Sequence, residues 1–292
     1  MLDGAQGTDA PEVVARMGVD DEGEDAQADH ATRLPTIRRI EALGFRAWPA
    51  ANSLYDGSWL VRLTAGHPSR RLNSVNPLDP MDSRDIDTRL ERLGRRFVSY
   101  DRPLVIRVTP LAPPALTQWC DRQDWVCEGE TMVMTADVAA LDLDDALDHL
   151  PLKDIGRFVD ADLAVRPRDR ALKSGLTEVL SAIRPPTGLF VLAGDDEPVA
   201  TALCVHDGDY AGVFEVATKA ERRRNGFGRT ITRAALRWAR SQGARRVWLQ
   251  VETDNEAALA LYGSLGFTES YRYHYRASPQ SAPVLDAAEE LI

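Results

Sequence analysis

The sequence predicts an α/β (α+β) chain of two domains, each a mixed, mostly antiparallel sheet flanked by helices, behind a disordered acidic N-terminal tail. Three observations carry that prediction. The first is length: 292 residues exceed what one small domain needs, and at roughly 100–200 residues per domain they suggest two. The second is a set of strand-like segments that gives way, after residue 218, to alternating helix and strand, the pattern of an α/β unit. The third is a weak internal repeat. Shifting the second half back by 143 positions lays Leu249 and Val251 on Ile106 and Val108, Ala258 and Leu259 on Ala115 and Leu116, and Tyr262 on Trp119. The expected divisions are a tail at 1–33, a first domain at 34–130, a second at 131–278 and a C-terminal tail at 279–292.

The formal net charge of -10 belongs mainly to the tail. Residues 1–30 hold nine carboxylates against one base, Arg16, so that only -2 is left for residues 31–292. With no aromatic side chain and little to bury, that segment cannot offset the entropy of folding. An acidic chain disfavours nucleic acid as a partner. No apolar run approaches the ~18 residues of a membrane span, and Met1 leads into no leader-like pattern, so a cytoplasmic protein without a membrane partner is expected. Cys120, Cys127 and Cys204 have neither the even count nor the spacing of a disulfide framework, and the five histidines are scattered, so no metal is expected.

In the second half, residues 131–136 read as a strand and 141–150 as a helix whose Asp-rich first turn suits the positive end of the macrodipole. A polar helical stretch comes next, around 168–183. Residues 188–193, 199–206 and 210–218 read as strands separated by Asp195-Asp196 and Asp207-Gly208-Asp209, hence an antiparallel meander. From 226 to 242 the period becomes helical (Phe227, Ile231, Ala234, Leu236, Trp238), with Gly243 at the stop. Residues 247–251 form the next strand, 256–265 a helix and 271–275 a last strand. In the first half, 58–63 and 71–75 are strand-like, 83–100 is amphipathic and 104–108 is a strand. Asn73 and Ser74 either face a cleft or bond nearby backbone, and the turn reading is preferred.

Ligands of open α/β sheets collect at strand carboxyl ends and helix N-termini. Here that loop reads Glu221-Arg222-Arg223-Arg224-Asn225-Gly226-Phe227-Gly228-Arg229. Two glycines at the start of a helix let backbone approach a ligand, and the unbonded N-H groups of the first turn favour an anion such as a pyrophosphate. Arginines beside them can pair with further phosphate oxygens. At the same place in the first half the shift puts Pro80, Ser83 and Asp85, and Asp82 and Asp85 would repel such a ligand.

After the loop come, in order, Leu249-Gln250-Val251, Asn255, Ala258, Tyr262 and Leu265-Gly266-Phe267. Over residues 132–276 this arrangement resembles the GNAT superfamily of acyl-CoA-dependent N-acyltransferases. The resemblance implies acetyl-CoA as cosubstrate, with Val216, Ala217 and Thr218 along its pantetheine arm and Arg223, Arg224, Asn225, Gly226, Phe227, Gly228 and Arg229 about its pyrophosphate. It implies that Asn255 contacts CoA and that Tyr262 donates to the departing sulfur. A phenol of pKa ~10 facing a thiol of ~8.5 needs only a small shift to match. Many relatives place Glu where Gln250 stands, and an amide is no base, which leaves Glu215 and Glu252 as candidate catalytic carboxylates acting through water, with Gln250 orienting that water. Thr218 and Ala220 depart from the Val and Pro usual in the family; the contacts there are mostly backbone.

The first half then reads as a degenerate GNAT-like copy without a cofactor, in a tandem arrangement known from high-GC bacteria. Mycothiol synthase shares that layout, and nothing in these residues singles out its substrate. The expected activity is acetyl transfer to a primary amine, of a small molecule or a peptide, by direct attack. Cys204 and Cys120 give a covalent route little support. The rivals are a non-catalytic CoA-binding regulator or sensor, motivated by Gln250, and a purely structural module. Association as a homodimer stays open.

Overall fold

The computed structural model describes residues 21–166 and 170–279. By contacts the chain divides into Met1–Pro35 and Thr36–Ile292. In the first unit, residues 1–20 lie outside the described part, and 21–35 begin helix α1 (Asp21–Ala47). Of the tail expected at 1–33, residues 21–33 are thus helical, and Glu22, Glu24, Ala26, Gln27, Ala28 and Ala31 are good helix formers.

The second unit is organised on a single sheet of ten strands. In chain order its elements are β1 (Asn52–Asp56), β2 (Trp59–Leu63), β3 (Ser74–Pro77), α2 (Ile86–Val98), β4 (Val105–Val108), α3 (Pro114–Arg122), β5 (Val126–Asp137), α4 (Ile155–Val165), α5 (Leu172–Ala182), β6 (Thr187–Gly194), β7 (Glu197–Asp207), β8 (Tyr210–Thr218), α6 (Phe227–Ser241), β9 (Arg246–Glu252), α7 (Glu256–Ser264) and β10 (Thr268–Ala277). The strand order is β1-β2-β3-β4-β10-β5-β9-β8-β7-β6. Exchanging each strand for the one five later or earlier turns this order into its own reverse. Among the described residues only the pairs β3–β4 and β8–β9 are parallel, each joined by a crossover helix, α2 or α6, as parallel neighbours require.

Each half thus repeats a meander, a helix, a parallel strand, a helix and a final strand. The final strands are exchanged: β10 pairs with β4 of the first half, while β5 pairs with β9 of the second. The expected boundary between 130 and 131 falls inside β5, because that strand closes the partner half's side of the sheet. Two hydrophobic clusters match the repeats. Trp59, Val61, Leu90, Phe97, Ile106 and Leu116 fill one, and Phe190, Ala202, Ile231, Leu236, Leu249 and Phe267 fill the other.

The meander turns take the expected form, with Asp195 and Asp196 both at positive φ, the conformation of a tight hairpin. Residues 141–150 do not form the expected helix. Their carboxylates face the arginines of α6: Asp145 and Asp142 pair with Arg233, Asp144 with Arg240 and Asp148 with Arg237. Helix α4 was not expected. Asp154 caps it, accepting from Arg157 N at 3.0 Å, and Phe158, Val159, Ala161 and Val165 are buried. Asn73 is a turn residue: its Oδ1 accepts from Thr64 N at 2.7 Å and its Nδ2 donates to His67 O at 2.8 Å.

Candidate active site

The site begins where two parallel strands part. β8 and β9 pair from Tyr210↔Arg246 to Val213↔Leu249 and no further, although β8 continues to Thr218 and β9 to Glu252. On its other edge β8 stays with β7, but Leu203↔Phe214 gives way to Thr201↔Ala217, so Glu215 and Val216 together oppose Ala202. That is a β-bulge, and Glu215 sits at φ 50. A bulge bends its strand and re-aims side chains. The edges of 215–218 and 250–252 that face each other are thereby released from the ladder, and unpaired strand edge is a template for an extended ligand. Val216, Ala217 and Thr218, the expected pantetheine segment, lie along one side of this slot. Its floor brings together Arg71, Phe214, Glu215, Gln250 and Tyr262.

The loop after β8 is tied down at its start. Lys219 pairs with Glu197 at 2.8 Å and Arg222 with Asp195, both in the β6–β7 hairpin. Gly226 then takes φ 80 as the N-cap of α6, a conformation costing an L-residue roughly 1–2 kcal/mol, and a Cβ there would meet nothing within 4 Å. At Gly228 a Cβ would stand 3.2 Å from Thr218 Oγ1, so the helix start lies close against the end of β8. Arg223, Arg224, Asn225 and Arg229 are exposed around this turn. An open left-handed turn, unbonded first-turn amides and flanking guanidiniums fit an anionic group.

Asn255 caps α7, its Oδ1 accepting from Ala258 N at 3.0 Å. Tyr262, on α7, is buried in the slot, edge-on to Phe267 at 6.0 Å. Burial pushes its phenol well above the ordinary value, with Arg166 pulling weakly the other way. The expected small shift toward a thiol's pKa does not occur, because desolvation disfavours phenolate. At neutral pH Tyr262 is therefore a protonated hydrogen-bond donor.

The two candidate carboxylates separate. Glu215 lies in the slot, but its oxygens meet Arg71 at 3.2 Å and Arg166 at 2.9 Å. Arg166 also holds Asp162 at 2.9 Å, and Thr201 Oγ1 donates to Asp162 at 3.0 Å. Arg166 is raised: burial opposes its charge, but Asp162 and Glu215 outweigh that. Glu252, half-buried opposite Thr131, is not on the floor of the slot. Gln250 is, and its Oε1 accepts from Tyr273 Oη at 3.1 Å. Sequence reasoning missed Arg71, Arg166 and Asp162. Arg71 comes from the first repeat and lies 5.0 Å from the Trp48 ring, so the first repeat supplies part of the second repeat's site.

The equivalent turn of the first repeat is filled by its own carboxylate. Asp82 Oδ2 accepts from Ser58 N at 3.0 Å and Ser58 Oγ at 2.8 Å, and Arg89 donates to Oδ1 at 3.1 Å. Burial alone would raise the Asp82 pKa; the Ser58 and Arg89 bonds outweigh it and hold it at about 2. A depressed folded pKa gives stability present above the unfolded value near ~3.9 and lost as pH falls through the folded one. Asp82→Asn is expected to destabilise the protein at pH 7 by about 1–3 kcal/mol, the deficit shrinking between about pH 4 and pH 2. Denaturant melts across that range check it, and a pH-independent deficit would contradict it.

A family described as the probable histone acetyltransferase Rv0428c C-terminal region matches residues 35–276. The chain belongs to this family of GNAT acetyltransferases. Among relatives, the uncharacterized N-acetyltransferase YobR of Bacillus subtilis is 26% identical over 257 residues, 83% of this chain and 99% of YobR. Among solved structures, a GCN5-related N-acetyltransferase from Kribbella flavida superposes with TM-score 0.63 at 19% identity, covering 83% of this chain and 95% of that one. A tandem GNAT protein from the clavulanic acid biosynthesis pathway gives 0.55 at 15%, covering 88% and 95%. These GNAT folds agree with the expected fold class, and the chain is an acyltransferase. No described helix is long and apolar enough to cross a membrane.

Proposed function

We propose that the chain transfers an acetyl group from acetyl-CoA to a primary amine by direct attack. The observation that carries this reading is the junction of an open anion turn at Gly226 with an unpaired strand slot that ends on a buried, protonated Tyr262. The turn and Arg223, Arg224, Asn225 and Arg229 would take the pyrophosphate, and the edge of Val216, Ala217 and Thr218 the pantetheine. The amine nitrogen forms the new bond to the thioester carbon as the carbon–sulfur bond breaks, and Tyr262 hydrogen-bonds the leaving sulfur. The amine proton passes to water, and the departing thiolate takes a proton from water to leave as the thiol. Of the two carboxylates only Glu215 faces the slot, and two guanidiniums occupy it, so Gln250 is assigned the orienting of that water.

The test is release of CoA thiol from acetyl-CoA across an amine panel. Tyr262→Phe is expected to lower kcat by roughly 10²-fold, the effect of losing one transition-state donor, with the Kd for acetyl-CoA within about twofold. Unchanged turnover would remove the donor role. Binding of acetyl-CoA without release for any amine would favour the sensor reading.

A further inference from the structure

Beyond the slot lies a second cavity that shares Arg71, Phe214 and Gln250 with it. Its remaining wall includes Glu41 and Trp48 from around the end of α1, Arg62 from β2 and Arg107 from β4. The volume is about 20 Å³, where a single water needs roughly 10–15 Å³, so it admits one small group and not the body of a substrate.

The described wall carries three guanidiniums, Arg62, Arg71 and Arg107, and one carboxylate, Glu41. Arg107 is paired with Glu41, which also accepts from Tyr271 Oη. Arg71 is paired with Glu215, and Arg166 with Asp162 and Glu215. Among the described residues Arg62 has only carbonyl oxygens: its guanidinium donates to Trp48 O and Arg71 O and lies 5.0 Å from the Phe45 ring. Of the three guanidiniums on the cavity wall, Arg62 is thus the one that no described carboxylate pairs with, and it is 4% exposed. Burial, reinforced by Arg107, holds the pKa of Arg62 down to about 9. A guanidinium keeps its proton at neutral pH, so the charge persists; Glu41, already paired with Arg107, offsets it only in part, and a buried charge without an ion-pair partner of its own is costly. The contrast is Arg107, equally buried: burial opposes its charge, but Glu41 together with Tyr273, Tyr275 and Tyr271 drives it well up.

We propose that this cavity receives a carboxylate of the acyl acceptor, so that the substrate is an amine carrying a carboxylate on a short arm, as an amino acid does. Trp48 and Phe214, stacked at 6.3 Å, form its aromatic wall, and Arg62 supplies the charge that the carboxylate neutralises. This rests on the acetyl-transfer reading, of which it names the acceptor class.

The experiment uses the full chain with acetyl-CoA and a panel of amino acids, each matched with its carboxamide, with spermidine as an amine lacking a carboxylate. The carboxylate form is expected to exceed the carboxamide by at least about 50-fold in kcat/KM. Arg62→Gln should bring that ratio to within a few-fold, and Arg62→Lys should restore part of it, with the Kd for acetyl-CoA unchanged in both. Equal use of the carboxamides, preference for spermidine, or an intact ratio in Arg62→Gln overturns the proposal. Ligand-observed NMR of the wild-type protein with propionate and propionamide decides it even if Arg62→Gln fails to fold or no panel amine is acetylated. Selective binding of propionate is expected, and equal or absent binding of the two overturns the assignment. Failure of acetyl-CoA itself to bind would sink the transfer reading instead, a result seen separately from the propionate measurement.

Discussion

Replacing Gly226 by Glu is expected to weaken acetyl-CoA binding by at least 10²-fold while leaving the fold intact. A Cβ at this position meets nothing within 4 Å, so there is no clash to propagate into α6. The backbone at φ 80 imposes roughly 1–2 kcal/mol of local strain on any L-residue, present with and without ligand, so it hardly enters the binding difference. The charge does enter. At ~5 Å and an effective dielectric of ~20, one pair of like charges costs about 3 kcal/mol, or about 10²-fold in Kd, and a pyrophosphate offers more than one. Gly226→Asn separates the two effects, because Asn tolerates the left-handed region and is neutral; it should stay within about tenfold of wild type. Calorimetric titration with acetyl-CoA and a thermal melt for each variant check this. Equal losses in Asn and Glu variants would show that backbone shape alone decides binding.

Much of this turn was legible in the sequence because its determinants are local. Gly226 and Gly228 announce it, and the helical period of Phe227, Ile231 and Leu236 fixes the helix that it opens. The meander was legible for the same reason, since Asp195-Asp196 and Asp207-Gly208-Asp209 set its turns within a few residues. The features that stayed hidden depend on partners far apart in the chain. The aspartates of 142–148 suit a helix N-terminus when read alone, but their arginines lie on α6, about 90 positions later. Arg71 reaches Glu215 across 144 positions, and no periodicity signals such a pair. The exchange of β5 and β10 was hidden too, because alternation along a strand says which face is buried and not which neighbour it joins. The shift that laid Val251 on Val108 found the repeat without finding that each copy finishes the other's sheet.

Arg166→Met should then be among the most destabilising single substitutions available, although it lies outside the loop at Gly226. Asp162 and Glu215 are both fully buried and share this guanidinium, and Met conserves most of the side chain's volume, so the cost is electrostatic. Removing one partner of a buried ion pair costs about 3–5 kcal/mol, because the carboxylates remain where water cannot reach them. For a unit of this size each kcal/mol moves Tm by about 2–4 °C, so a fall of roughly 10 °C is expected. The double variant Asp162→Asn/Arg166→Met should recover part of that loss. Asn still accepts the bond from Thr201 Oγ1, now 3.0 Å from Asp162, while Glu215 keeps Arg71 at 3.2 Å. Melts of wild type, both singles and the double give the coupling energy directly. A single-variant cost below about 1 kcal/mol, or a double no better than Arg166→Met, would mean that the strand bulge at Glu215 is held by packing and not by this charge network. If the network does hold it, the slot depends on Arg71 of the first repeat as much as on Arg166 at the end of α4, which gives the copy lacking an anion turn a physical reason to be retained.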